Sequence, residues 1–232
     1  MISKQSESFV NSTVIQAIER QENTRPAGES GAELRAVAFF GGGSGGHLYP
    51  GLALAECIKR LHPDCHLHFF RTGRAIEDRV FGGVGFMESV SAMDLGAPSR
   101  RPLGTLRFAR QVLRCTTDIR RDILTRRHDD RPIDVAGGLG GYSSLPGILA
   151  AKLTGVPVVL MEQNVVPGKV NRWFGPLARC VTCPEEESQA GFVSWLVRTR
   201  VTGNPLRHLV AEAAEWRAAR TPRDRRQAFL GV

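Results

Sequence analysis

Short apolar runs alternate along the chain with amphipathic stretches, and most runs end in glycine or a polar cluster. Ala36-Val37-Ala38-Phe39-Phe40 is apolar at consecutive positions, the pattern of a strand covered on both faces. Glycines follow from Gly41 to Gly46 with Ser44 among them, and after His47 comes Pro50, which reads as a first-turn helix residue. Leu52 to Leu61 carries the helix, and His66 to Phe70 a second strand. A right-handed crossover makes such strands parallel.

The same alternation continues. Phe86–Val90 predicts a strand, and residues 103–127 a long helix with Leu103, Leu106, Ala109, Leu113, Ile119 and Ile123 on or near one stripe. Ile133–Ala136 predicts a strand before a second glycine-rich loop at 137–141, with Ser143 or Ser144 capping the helix Leu145–Leu153 that Gly155 stops. Val156–Leu160, Cys180–Thr182 and Arg200–Thr202 read as strands, and Val170–Leu177 and Leu206–Arg220 as helices. The fold class is therefore α/β, a Rossmann-like parallel sheet with helices on both faces. Residues 1–33 read as a polar, mobile extension, with a short docked helix through Phe9, Val14 and Ile18 as the alternative.

Composition narrows the classes. The chain has 232 residues, 42% of them hydrophobic, and a formal charge of +8. Its apolar stretches fall far short of the ~20 residues that span a bilayer. No basic start with an apolar core marks a secretory signal. Five cysteines do not make a disulfide scaffold in a chain of this size, so a reduced compartment is expected. The positive balance favours an anionic partner without choosing among phosphate, nucleic acid and membrane.

Ligands of such sheets sit at the carboxyl ends of the strands, where the clusters 41–47, 137–144, 161–168 and 203–207 all fall. These four loops are expected to form one site. The Gly41–Gly46 run lets the backbone approach a ligand closely, and the helix beyond it points its positive end at a phosphate or diphosphate. A P-loop is excluded because Gly46-His47-Leu48 stands where Gly-Lys-Ser/Thr is needed. NAD is disfavoured because the second strand ends at Phe70-Arg71-Thr72 without an acid; NADP through Arg71 stays open. His47 reads as a base near neutral pH or as a hydrogen-bond donor to phosphate. Tyr142 offers a ring and hydroxyl at the rim or packs against the first loop. Glu162 reads as a base or as the orienter of one, and Arg207 as a diphosphate ligand or an exposed helix-start residue.

In this order the motifs resemble those of the MurG-like glycosyltransferases. The resemblance runs over about residues 34–210: the GGxGGH loop at 42–47, Gly140-Gly141-Tyr142-Ser143, Glu162-Gln163-Asn164 with Pro167-Gly168 and Asn171, and Gly203-Asn204-Pro205-Leu206-Arg207. It implies the N-terminal half of a GT-B fold and an inverting transfer of GlcNAc from UDP-GlcNAc. The acceptor would be the C4 hydroxyl of MurNAc in undecaprenyl-diphosphate-MurNAc-pentapeptide, a step of peptidoglycan synthesis. Carried over as substrate-binding are Ser44, Gly45, Gly46, Asn164 and Arg207. His47 is the base or acceptor-site candidate, with Tyr142 and Glu162 in supporting catalytic roles. The resemblance implies no cofactor or metal, and places the protein peripherally on the cytoplasmic face of the bacterial membrane.

Two positions depart from the family pattern: Met161 stands where His often precedes Glu-Gln-Asn, and Ser44 where threonine is common. The chain is also short for the family. Residues 34–206 are expected to be the acceptor-side domain and 207–232 a linker helix towards a donor domain that the sequence lacks, so the chain alone should be inactive. The alternative is a non-catalytic acceptor-binding or membrane-recruiting half acting with a separate donor-binding subunit.

Residues 100–131 hold ten Arg and four Asp. Arg107, Arg110, Arg114 and Arg121 fall near one helical face, with Phe108, Val112 and Leu113 close by and Phe81, Val84, Phe86 and Met87 preceding. An apolar patch ringed by arginine suits anionic lipid, and a helix with one core and one solvated face is the plainer reading. Nucleic acid is not expected, since few aromatics interleave with the arginines. Cys180-x-x-Cys183 lacks a second pair, and His62, Cys65, His66 and His68 do not make a closed zinc site.

Overall fold

The computed structural model describes residues 34–43 and 45–205. The expected extension 1–33, Ser44, Arg207, the helix Leu206–Arg220 and the linker 207–232 lie outside these described residues. Seven strands form one parallel sheet: β1 (Ala36–Phe40), β2 (His66–Arg71), β3 (Ser89–Ala92), β4 (Val135–Gly138), β5 (Val158–Met161), β6 (Cys180–Cys183) and β7 (Thr199–Val201). Their order is β3-β2-β1-β4-β5-β6-β7, each neighbouring pair parallel. The chain winds one way from β1 to β3, then returns to add β4 on the other side of β1. Between β1 and β4 lies the reversal point where such sheets open a crevice at their carboxyl edge.

The helices are α1 (Gly45–Leu61), α2 (Ala75–Phe81), α3 (Pro102–His128), α4 (Leu145–Thr154) and α5 (Lys169–Phe174). Alternation along β1 divides the core. Val37 and Phe39 face a cluster with Leu48, Leu54 and Ile58 of α1, and Ala38 and Phe40 face one with Cys115, Ile119 and Ile123 of α3 and Ile148 of α4. Gly147 lets α4 lie on β1, because a Cβ there would fall 1.9 Å from the Phe40 ring. Gly155, at φ 74°, ends α4 in the left-handed conformation.

Several expectations need correction. Helix α1 begins at Gly45, so Pro50 lies inside it and not in its first turn. The third strand is Ser89–Ala92; Phe86 and Met87 instead pack against the α1-side core. Gly137 and Gly138 belong to β4, not to a loop, and their lack of side chains admits Phe39, Leu160 and Ile148. Ser144 holds the N-cap position of α4 without a side-chain capping bond: the Ser143 and Ser144 hydroxyls donate instead to the carbonyls of Gly42 and Gly141.

The buried stripe of α3 is Cys115, Thr116, Ile119 and Ile123, with Phe108 and Val112 partly buried. Leu103 and Leu113 are 83% and 65% exposed, since at about 100° per residue they fall on the side of the helix opposite that stripe. The apolar patch foreseen around the arginines is therefore divided. Phe81, Phe86 and Met87 pack on one face of the sheet and α3 on the other. No helix among the described residues is long and apolar enough to cross a membrane.

Candidate functional site

At the carboxyl edge of the sheet the loops after β1, β4, β5 and β7 are tied together by side chains. Gly41, Gly42 and Gly43 have φ of 139°, 151° and 83°, and Gly140 and Gly141 of 91° and 69°, all in the region that disfavours a Cβ. His47 lies over the second loop: a Cβ on Gly140 would sit 3.3 Å from its ring. Ser143 Oγ donates to Gly42 O at 3.2 Å, joining the first and second loops.

Gln163 is the hub. Its Nε2 donates to Leu139 O at 3.0 Å, and its Oε1 stands 2.8 Å from His47 Nδ1. Asn204 Nδ2 donates to Gln163 O at 3.1 Å, bringing in the loop after β7. A carbonyl can only accept, so the amide nitrogen must face Leu139 and the amide oxygen must face His47. Nδ1 then carries the proton, and in the neutral ring Nε2 keeps its lone pair. The site thus presents a basic nitrogen whose tautomer is set by its neighbour.

Glu162 is buried and saturated. Oε1 accepts from Asn164 N at 2.9 Å and Asn164 Nδ2 at 3.0 Å; Oε2 accepts from Gly168 N at 2.8 Å and Asn171 Nδ2 at 2.9 Å. Asn171 Nδ2 also reaches Met161 O at 3.0 Å. Four donors leave this carboxylate no room for a substrate proton. They fit it to hold the loop 162–168 in shape.

Tyr142 is half-buried, packed edge-on to Phe108 with ring centres 5.9 Å apart. Its hydroxyl accepts from Arg74 NH2 at 2.6 Å. Gly45 and Gly46 open α1, whose own first turn carries no acidic residue. Arg71 pairs with Asp78 at 2.6 Å, and so is engaged where an NADP phosphate would need it.

Four contributors escaped the sequence reading as site residues: Gln163, Asn171, Arg74 and Glu77. Gln163 and Asn171 lie in motifs already noted, and their parts emerge only when the loops meet. Glu77 left one faint mark, an acid three residues after Arg74 at a helix start. A cavity of about 330 Å³ at the opposite, amino-terminal edge is lined by His66, His68, Glu88 and Arg126. Its charges pair with one another or close by: His66 with Glu88 at 3.4 Å, and Arg126 with Asp122 at 2.8 Å. His68 bonds Ser89 Oγ at 2.9 Å, and burial, then Arg126, push its pKa down to about 4. Burial drives the thiols of Cys180 and Cys183 up to about 11, which suits packing and not reactivity.

Comparison with known proteins agrees with this fold. The family model described as the glycosyltransferase family 28 N-terminal domain matches residues 37–183. A UDP-N-acetylglucosamine--N-acetylmuramyl-(pentapeptide) pyrophosphoryl-undecaprenol N-acetylglucosamine transferase from Syntrophotalea carbinolica is 38% identical over 172 residues, covering 74% of this chain and 46% of that protein. The enzyme of the same name from Pelobacter propionicus is 39% identical over 177 residues, covering 76% of this chain and 44% of its own. The chain thus spans about half the length of the curated relatives it matches. Among solved structures, Acinetobacter baumannii MurG superposes with a TM-score of 0.57 at 25% identity, over 75% of this chain and 46% of that one. A UDP-GlcNAc 2-epimerase from Neisseria meningitidis bound to UDP-GlcNAc shares the fold, with a TM-score of 0.53 at 15% identity over 85% of this chain and 54% of its own.

Proposed function

Because this chain belongs to the glycosyltransferase family 28 N-terminal domain family, we propose that it is the acceptor-binding half of a GT-B enzyme. The reaction is transfer of GlcNAc from UDP-GlcNAc to the C4 hydroxyl of undecaprenyl-diphosphate-linked MurNAc-pentapeptide. The observation that carries this reading is the Gln163 hub, which joins three loops and leaves His47 Nε2 as a lone-pair acceptor beside the glycine turns.

Inversion at the anomeric carbon needs one direct displacement and one base. His47 Nε2 takes the proton of the sugar hydroxyl as its oxygen attacks C1 of GlcNAc, and the C1–O bond to UDP breaks with the electron pair leaving on the diphosphate. The Nδ1–H bond to Gln163 holds the ring and disperses the charge that forms. Glu162 shapes the loop bearing Gln163 and Asn164; Tyr142 and the N–H groups at Gly45 and Gly46 line the entry to the crevice. Residues 34–206 form the acceptor-side domain, Ser44, Asn164 and Arg207 complete the binding set, and 207–232 lead towards a donor-binding domain.

The peripheral site on the membrane's cytoplasmic face rests on α3. Its solvent-facing side carries Leu103, Leu106 and Leu113 among Arg107, Arg110 and Arg114, suited to anionic lipid.

The test is GlcNAc transfer from radiolabelled UDP-GlcNAc to a short-chain lipid-linked MurNAc-pentapeptide. It is run with this chain alone and with the C-terminal domain of a relative added. Transfer that requires the added domain supports a competent acceptor half. No transfer in either mixture, with the chain folded and acceptor binding absent, overturns the reading.

A further inference from the structure

Beside the first glycine loop stands an arginine with no part in the assignment above. Arg74 is exposed, and its guanidinium spans two loops of the site: NH1 donates to Gly43 O at 3.0 Å and NH2 to Tyr142 OH at 2.6 Å. The guanidinium carbon lies 5.9 Å from the centre of the Tyr142 ring. Among the described residues no carboxylate pairs with this guanidinium, whereas Arg71, three positions earlier, is engaged by Asp78 and Glu77. Both acceptors of the Arg74 guanidinium are neutral oxygens, so no direct ion pair takes up its charge at the mouth of the crevice. An arginine carries five N–H donors, and two are used here.

A buried carboxylate fixes that placement. Glu77 is fully buried, and its Oε1 accepts from Gly43 N at 2.6 Å and from Thr72 Oγ1 at 2.8 Å, while Oε2 accepts from Arg74 N at 3.0 Å. The Gly43 residue is gripped at both ends, its N–H by Glu77 and its carbonyl by Arg74. Gly42 must stay a glycine, since a Cβ would fall 2.2 Å from Glu77 Oε1. The Gly43 N–H is thus spent on Glu77 and is not offered to a ligand. Positive charge at this lip of the loop comes from the Arg74 side chain.

We propose that Arg74 is the cationic ligand of the acceptor's diphosphate, and that Glu77 is the positioning residue that holds Arg74 and the glycine loop in register. This rests on the acceptor-half reading and deepens it, by assigning the charge that recognises the linkage between lipid and sugar. Planar guanidinium donors match phosphate oxygens in a forked geometry that a lysine does not reproduce.

The experiment measures binding of a short-chain prenyl-diphosphate-MurNAc-pentapeptide to the full 232-residue chain, beside the analogue linked by a single phosphate. Wild type should prefer the diphosphate. Arg74→Ala should lose about 10- to 100-fold in affinity for the diphosphate and bind both analogues alike, and Arg74→Lys should recover part of the loss. Glu77→Gln should weaken the preference through Arg74 and so add little to Arg74→Ala in the double variant. Thermal melts of the Arg74 variants check folding; the side chain is exposed, so both should melt near wild type. Undiminished diphosphate preference in folded Arg74→Ala overturns the proposal and leaves the acceptor-half reading standing. Failure of wild type to bind either analogue overturns both.

Discussion

Replacing Glu162 by glutamine removes one negative charge and one acceptor oxygen while keeping the side chain's length. The carboxylate accepts four hydrogen bonds between 2.8 and 3.0 Å. Glutamine keeps one oxygen, so two of the four donors meet an NH₂ group. A hydrogen bond to a charged acceptor contributes about 1.5–3 kcal/mol. Asn164 is exposed and Asn171 buried, so the amide settles with its oxygen towards Asn171 and its nitrogen towards Asn164, where water offsets part of the loss. Two bonds at the low end give about 3 kcal/mol for Glu162→Gln. Alanine loses both acceptor oxygens and all four bonds, and with water reaching the exposed donors the cost is about 5 kcal/mol. Either is a large share of the ~5–15 kcal/mol that holds a domain folded. Urea unfolding at pH 7 reads both, from the midpoint and slope of each transition. If Glu162→Gln stays within about 0.5 kcal/mol of wild type, the carboxylate is not what holds the loop.

Three further expectations follow from other parts of the molecule. Gly147→Ala drives a methyl into the Phe40 ring and should cost about 3 kcal/mol or prevent folding, read by thermal melting; an unchanged melt would refute the close packing of α4 on β1. His68 has its pKa lowered from 6.5 to about 4, so its neutral form stabilises the fold above pH 6.5 and that contribution fades as pH falls towards 4. On the order of 3 kcal/mol should disappear across that window, and His68→Gln should flatten the slope of unfolding free energy against pH; an equal slope in both proteins would refute it. Gln163→Glu turns a carboxylate oxygen towards the Leu139 carbonyl in place of the amide donor, and so loosens the hub that orients His47. With the donor domain supplied, transfer at pH 7 should fall at least about tenfold; an undiminished rate would refute the hub's part in holding His47.

The sequence made the sheet legible because each strand is a short apolar run and each helix has its own period. It misled where glycine serves two purposes. Gly137 and Gly138 resemble a ligand loop, yet they thin the sheet under Phe39 and Ile148. The stripe of α3 differs because leucine reads as core wherever it recurs, whereas Leu103 and Leu113 lie across the helix from the buried Cys115, Ile119 and Ile123. Within the site, residues in the clusters that end the strands could be singled out. Arg74 and Glu77 could not, since the Gly43 and Tyr142 that Arg74 meets lie 31 and 68 positions from it. No local pattern records such meetings.

The central place of β1 in the sheet has a consequence for how the chain is made. Ala36 and its contact Asp134 are 98 positions apart, and β1 takes β4 as its neighbour on one side. At about 5–20 residues per second, roughly 5–20 s pass on the ribosome between synthesis of β1 and of the strand that covers that edge. During that time one side of an apolar strand is bare, and the glycine loop beyond it waits longer still for Ser143 and Gln163. The crevice is therefore among the last parts to assemble, and the nascent chain is most exposed to mispairing while its middle third is being translated.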